Sequence, residues 1–137
     1  VPLFSYGTLL DETLLATVLG RRRDLPRRRP AVLPDHRCVH VRDAAYPVVV
    51  PAPGERAHGA LIVGLRRGDW ARLWHYESDD YALLRCVVET PGGTREALVF
   101  AGGSTEAGDA PWSLAAWRLR HRAAALVRIR RHMTAFR

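Results

Sequence analysis

The sequence predicts an α+β fold: a curved, barrel-like β-sheet with flanking helices. Three observations carry that expectation. β-branched segments are spread along the chain, hairpin signals outnumber regular strand-helix-strand alternation, and three segments have helical periodicity. At 137 residues the chain can build one complete core but not two, so residues 1 to 137 are expected to form a single domain.

The stretch FSYGTLLDETLL, residues 4 to 15, opens as an apolar strand, turns at Tyr6-Gly7-Thr8 and resumes as an amphipathic helix. That helix is expected over 11 to 19, with Leu14, Leu15 and Val18 on its apolar face, Asp11 as N-cap and Gly20 as its stop. RRRDLPRRRP, residues 21 to 30, has two arginine triplets around a bend and reads as an exposed connection, with phosphate binding as the alternative. Between 31 and 65, CVHV, YPVVVP and GALIVGL, punctuated by PAPGERAH, read as three strands.

GDWARLWHYE, residues 68 to 77, reads as a helix that Asp69 can cap. LLRCVVET and REALVFAG then flank a PGG hairpin turn. After a polar loop over 102 to 110, one long helix is expected over about 111 to 134, starting near Pro111. Trp112, Ala116, Leu119, Ala123, Leu126 and Met133 form its core stripe, and Arg118, Arg120, Arg122, Arg128, Arg130 and Arg131 its solvated face.

Composition bounds the function. Apolar residues make up 47% of the chain without an uninterrupted run near the roughly 20 residues that cross a bilayer, so no membrane association is expected. VPLFSYG enters strand-like sequence directly, and a cytoplasmic location is the default expectation. Cys38 and Cys86 lack metal-ligand spacing and are expected to be reduced core residues. The net charge of +7 would suit nucleic acid, but every basic residue is arginine, as a GC-rich genome would produce. Solvated arginines are the favoured reading, and nucleic acid is disfavoured as a partner.

Two features could carry chemistry. Gly7 permits a tight strand-to-helix turn and close approach of a ligand, with the amides of Thr8 and Leu9 aimed at a cavity where they could hold an anionic oxygen. An ordinary tight junction is the alternative, and no phosphate-binding GxxxxGK follows. Glu77 is the second feature. It shares a helical stripe with Trp70, Leu73, Trp74 and Tyr81, and a carboxylate there must find a partner, hold a proton or line a cavity. A structural acid and a general base near neutral pH both fit that description. Asp79 and Asp80 fall off the stripe and are expected to be solvated. No serine or cysteine has a nucleophile setting and the histidines are scattered, so neither a metal nor a covalent mechanism is expected, and no cofactor is called for.

Three motifs in this order resemble the gamma-glutamylcyclotransferase-like family. FSYGTL resembles its YGxL signature, YPVVVP with the later GAL at Gly59 its middle strands, and LWHYESDDYALLRCVV its segment with a Glu and, four residues on, a Tyr. The resemblance runs from about residue 3 to residue 101, and PWSLAAW is similar to the tails of bacterial members. Trp74 stands where many members have Asp, and Ser78 where many have Gly.

The resemblance implies a mixed, barrel-like sheet and release of 5-oxoproline plus a free amine or amino acid from a small γ-glutamyl substrate. The substrate's own α-amino group would attack its γ-carbonyl, with Glu77 as general acid/base and Tyr6, Gly7, Thr8, Leu9 and Tyr81 as substrate-binding residues. Two other classes remain: a module that binds a γ-glutamyl or other acidic small molecule without turnover, and a nucleic-acid contact protein.

Overall fold

The chain enters its sheet through β1 (Leu3–Ser5), three residues that are all buried. The computed structural model describes residues 1–77, 80–102 and 106–136. A 3-10 turn over Thr8–Leu10 links β1 to α1 (Glu12–Leu19). Asp11 caps α1 by accepting the Leu14 N–H at 3.0 Å, and Gly20 ends it in the left-handed conformation at φ 71. Both ends follow the sequence reading.

Two strands, not three, fill the next region. β2 (Arg27–Val41) and β3 (Pro47–Val63) form one long antiparallel hairpin. PAPGER sits inside β3 at a bulge: pairing jumps from Pro34↔Arg56 to His36↔Pro51, Asp35 and Gly54 take positive φ, and the Gly54 N–H donates to Asp35. Prolines and a glycine that signal a turn in one dimension are equally suited to a bulge, where ladder bonds are interrupted anyway. Residues 27–30 of the arginine-rich run likewise belong to β2, leaving 21–26 as the connection.

α2 (Arg67–Glu77) follows. Asp69 lies in its first turn rather than at the cap position. Its buried carboxylate reaches back to the Arg66 N–H at 2.9 Å and pairs with Arg21 at 2.7 Å. This is the acidic half of a capping box, tying the 21–26 connection to α2.

β4 (Ala82–Thr90) and β5 (Gly93–Ala101) form the expected hairpin. β1 pairs antiparallel with β3 and parallel with β5, while β4 meets β2 at Val32↔Glu89 and β2 returns to β3. The five strands therefore close into a mixed barrel, as the sequence predicts. Closure brings β3 so near β1 that a Cβ on Gly59 would stand 2.1 Å from the Ser5 carbonyl oxygen. Only glycine fits there.

A short β6 (Ala107–Pro111), not expected from the sequence, pairs with β2. Pro111 thus ends a strand instead of opening a helix, and the expected single helix is two. Ser113 caps α3 (Leu114–Arg120), and α4 (Arg122–Thr134) follows after His121, whose backbone at φ −126, ψ −17 leaves helical geometry. The break shifts the buried face. Trp112, Leu126 and Met133 are buried as expected, but Leu119 is 87% exposed and Ala116 and Ala123 face solvent, while Trp117 and Ala125 are buried in their place.

Three buried clusters result among the described residues. One, between barrel and helices, contains Leu3, Leu14, Ile62, Leu73, Trp117 and Leu126. A second fills the space among the strands with Phe4, Leu33, Leu61, Val88 and Val99. A small third joins Val39, Val41 and Val48. The arginine face of the last helices is not uniformly solvated: Arg118 and Arg122 donate to Asp11 at 2.9 and 2.8 Å, fastening α3 and α4 to the start of α1. No helix among the described residues is long and apolar enough to cross a membrane.

Candidate active site

The end of β1, the 3-10 turn and the C-terminus of α2 meet at a cavity of about 230 Å³. Tyr6, Gly7, Thr8, Leu9, Glu77 and Tyr81, the six residues singled out in the sequence, all line it. The fold brings them together because the turn after β1 is bonded to the end of α2 through Thr8 and Tyr76, and the chain returns past Tyr81 into β4. The volume lies below the roughly 300 to 1,000 Å³ of sites for drug-sized ligands, a scale that suits a small metabolite.

Glu77 is the last residue of α2 and is half-buried at the cavity wall. Among the described residues no side chain hydrogen-bonds or ion-pairs with its carboxylate. Burial, and secondarily the charge of Asp80, push its pKa up to about 8. The group therefore holds a proton at neutral pH and exchanges it over the neutral-to-mildly-alkaline range.

Trp70 and Trp74, which share the helical stripe of Glu77, do not line the cavity. Trp70 packs into the core between barrel and helices, and Trp74 is 53% exposed with its ring against Phe100 at 5.5 Å. Helical spacing puts them on the stripe that carries Glu77, but of the described α2 residues only Tyr76 and Glu77, in the last turn, line the cavity. Tyr6, Tyr76, Tyr81 and Phe100 supply the walls instead.

These tyrosines are held by named bonds. The Tyr6 hydroxyl donates to the Phe100 carbonyl and the Tyr81 hydroxyl to the Pro47 carbonyl, each at 2.6 Å. With those hydrogens committed, either oxygen can offer a ligand only an acceptor. The Tyr76 hydroxyl and Thr8 Oγ1 share a 2.7 Å hydrogen bond that closes the turn against α2. Burial raises all three phenols well above their ordinary range, so they stay neutral.

Gly7 also has a packing reason, independent of any ligand. Its φ of −126 needs no glycine, but a Cβ there would meet the Pro47 ring at 2.7 Å. The residue is small because the turn packs on Pro47, itself part of the cavity wall. Asp80, expected to be solvated, is exposed yet lines the cavity mouth, whereas Ser78 and Asp79 lie outside the described residues.

Tyr46, Pro47, Tyr76 and Arg128 also line the cavity and were not singled out in the sequence. Tyr76 was adjacent to a residue already of interest. For Arg128, one arginine among several on the last helix, the sequence holds no distinguishing signal. Cys38 and Cys86 are free and half-buried, and burial raises their thiols to about 12 and about 11. Neither is a thiolate at neutral pH, as expected of core residues.

The sequence profile described as gamma-glutamyl cyclotransferase, AIG2-like, matches residues 3–119. The chain belongs to this family. The AIG2-like protein D of Arabidopsis thaliana is 26% identical over 78 residues, which cover 57% of this chain and 49% of that relative. The chain thus spans about half the length of the curated relative it matches.

Solved structures share the gamma-glutamyl cyclotransferase fold. A solution structure from Arabidopsis thaliana superposes with a TM-score of 0.69 at 18% identity, covering 98% of this chain and 91% of that one. The YkqA protein of Bacillus subtilis gives 0.67 at 20% identity, with 98% and 54% covered. A structure titled gamma-glutamyl cyclotransferase gives 0.58 at 15% identity, with 77% and 68% covered.

Proposed function

We propose that this family member is a γ-glutamylcyclotransferase-type enzyme, releasing 5-oxoproline and a free amine or amino acid from a γ-glutamyl compound. The observation that carries the reading is Glu77: a carboxyl without a partner among the described residues, raised to about 8 by burial, at the wall of a cavity of metabolite size. A structural acid would be expected to have a hydrogen-bonded partner.

The chemistry needs little else from the protein. The substrate's α-amino nitrogen forms a bond to its own γ-carbonyl carbon, the γ-amide C–N bond breaks, and the five-membered lactam departs from the freed amine. The ionised Glu77 takes a proton from the α-ammonium as attack begins and returns it to the leaving nitrogen. The second proton of the attacking nitrogen follows through the same carboxylate or solvent, so that the amine departs as its ammonium ion and the lactam is neutral. A carboxyl titrating near the working pH is well matched to both transfers. The committed hydroxyls of Tyr6 and Tyr81 offer acceptors to the ammonium. The amides of Gly7, Thr8 and Leu9, at the start of a 3-10 turn that cannot satisfy its first donors internally, suit the α-carboxylate. Holding both groups of one substrate folds it toward the ring, and proximity then supplies much of the rate. A cytoplasmic setting accords with two free cysteines.

The test is 5-oxoproline release from a panel of γ-glutamyl amino acids, γ-glutamylamines and glutathione, followed by chromatography. Product from at least one member supports the enzyme. Tight binding with no product over long incubation would replace it with a non-catalytic binding module for such compounds.

A further inference from the structure

Arg118 and Arg122 are both committed to Asp11, but Arg128, farther along α4, is not so held. It lines the cavity, and among the described residues it forms no ion pair, even with Asp80 of the same lining. Among the described lining residues it is the one arginine or lysine; the carboxyl groups of the lining are Glu77 and Asp80.

Its position can be narrowed further. Burial raises the Tyr76 hydroxyl and the Glu77 charge adds to this, while the Thr8 hydrogen bond and the Arg128 charge oppose them. Arg128, an exposed residue of α4, lines the same cavity as the wall where Tyr76 meets Thr8 at 2.7 Å. Tyr6 and Tyr81 have spent their hydroxyl hydrogens on backbone carbonyls and cannot donate to an anion. A guanidinium presents a planar fork of donors that matches a carboxylate in charge and geometry.

We propose that Arg128 recognises a carboxylate of the ligand at the Tyr76–Thr8 wall, making the site selective for carboxylate-bearing compounds. The identity of the ligands rests on the cyclotransferase reading above. A γ-glutamyl amino acid offers two such groups, the α-carboxylate of its head and the carboxylate of its leaving residue, and matched ligand pairs separate them. Head recognition requires Arg128 and the turn amides to share one anion; leaving-residue recognition makes Arg128 the selector against γ-glutamylamines.

The experiment is titration calorimetry with two pairs: 5-oxoproline against 2-pyrrolidinone, and γ-glutamylalanine against γ-glutamylethylamine. The second pair is measured in a Glu77→Gln background so that turnover does not mask binding. Arg128→Gln is expected to weaken carboxylate-bearing ligands on the order of tenfold, with partial recovery in Arg128→Lys. If the head is recognised, 5-oxoproline weakens, 2-pyrrolidinone does not, and both γ-glutamyl compounds weaken together. If the leaving residue is recognised, only γ-glutamylalanine weakens. Unchanged affinity for all four, equal loss for both members of the first pair, or no binding to the parent protein would overturn the proposal. Release of 5-oxoproline is scored separately: binding through Arg128 without turnover keeps this inference and removes the cyclotransferase reading.

Discussion

The hydroxyls of Thr8 and Tyr76, 68 residues apart in the chain, share a 2.7 Å hydrogen bond across the mouth of α2. The bond joins the turn proposed to hold the substrate carboxylate to the residue immediately before Glu77, and so sets the distance between cradle and base. Tyr76→Phe is expected to cost about 1 kcal/mol of stability while lowering kcat/KM roughly tenfold, the loss that misplacement of a catalytic group can produce. Thr8→Ala should do the same, and the double variant little more, a non-additivity read by a double-mutant cycle.

Glu77 gives two pH signatures of opposite sense. General-base action needs the carboxylate, so kcat/KM should rise as pH passes through about 8. Stability should move the other way. The folded pKa lies above the ordinary carboxyl value of 4.5, so the folded state binds the extra proton between the two and loses stability as pH climbs through that window. In Glu77→Gln both trends should disappear, and that variant should be the more stable by about 1 to 3 kcal/mol at pH 9. Denaturation curves at pH 5, 7 and 9 on both proteins check the second trend.

Asp11 should be the most sensitive carboxylate for stability. Burial alone would raise its pKa, but bonds from Arg122, the Leu14 N–H and Arg118 outweigh this and hold it below the usual range. Its contribution is therefore complete above the normal carboxylate range and lost as pH falls through the depressed value. Asp11→Ala removes a helix cap and leaves two arginines facing each other, at a cost of about 3 kcal/mol. Asp11→Asn keeps a capping oxygen and should recover about 1 kcal/mol of that. Urea denaturation of both variants gives the comparison.

Gly59→Ala tests barrel closure. A Cβ 2.1 Å from the Ser5 carbonyl oxygen meets backbone, which cannot step aside without separating β1 from β3. The variant is expected to lose 3 kcal/mol or more, roughly the upper range for strain in a packed interior, or to fail to accumulate as folded protein. Gly54→Ala serves as a contrast, because its cost comes from the positive φ of 81 without any neighbour within 4 Å.

The sequence made the barrel and the site legible to different depths. Glu77 stood out because a carboxylate on an apolar helical stripe is costly, and the YGTL junction because a strand, a glycine and a helix cap follow one another within a few residues. What misled was local signal with two structural meanings. Proline and glycine in PAPGER mark a bulge as readily as a turn, so one strand was read as two. Periodicity counted through His121 assumed an unbroken helix, and it put Leu119 inside when it lies outside. The pairing of Asp11 with Arg118 and Arg122 spans more than 100 residues, a separation that no local pattern encodes. Arg128 was hidden for the same reason: it is one of several arginines on the last helix, with Arg130 and Arg131 close behind it, and only its place in the cavity lining distinguishes it from them. Trp70 and Trp74 were placed on the correct helix, but sharing a stripe with Glu77 does not bring them to the cavity, which only Tyr76 and Glu77 of α2 line among the described residues.

The most direct measurement is 5-oxoproline release by the parent protein and by Glu77→Gln, on the γ-glutamyl compound that the parent turns over fastest, with circular dichroism confirming that both are folded. Loss of general acid/base catalysis predicts a fall in kcat of about 10²- to 10⁴-fold. A folded Glu77→Gln protein that releases 5-oxoproline at the parent rate would contradict the account.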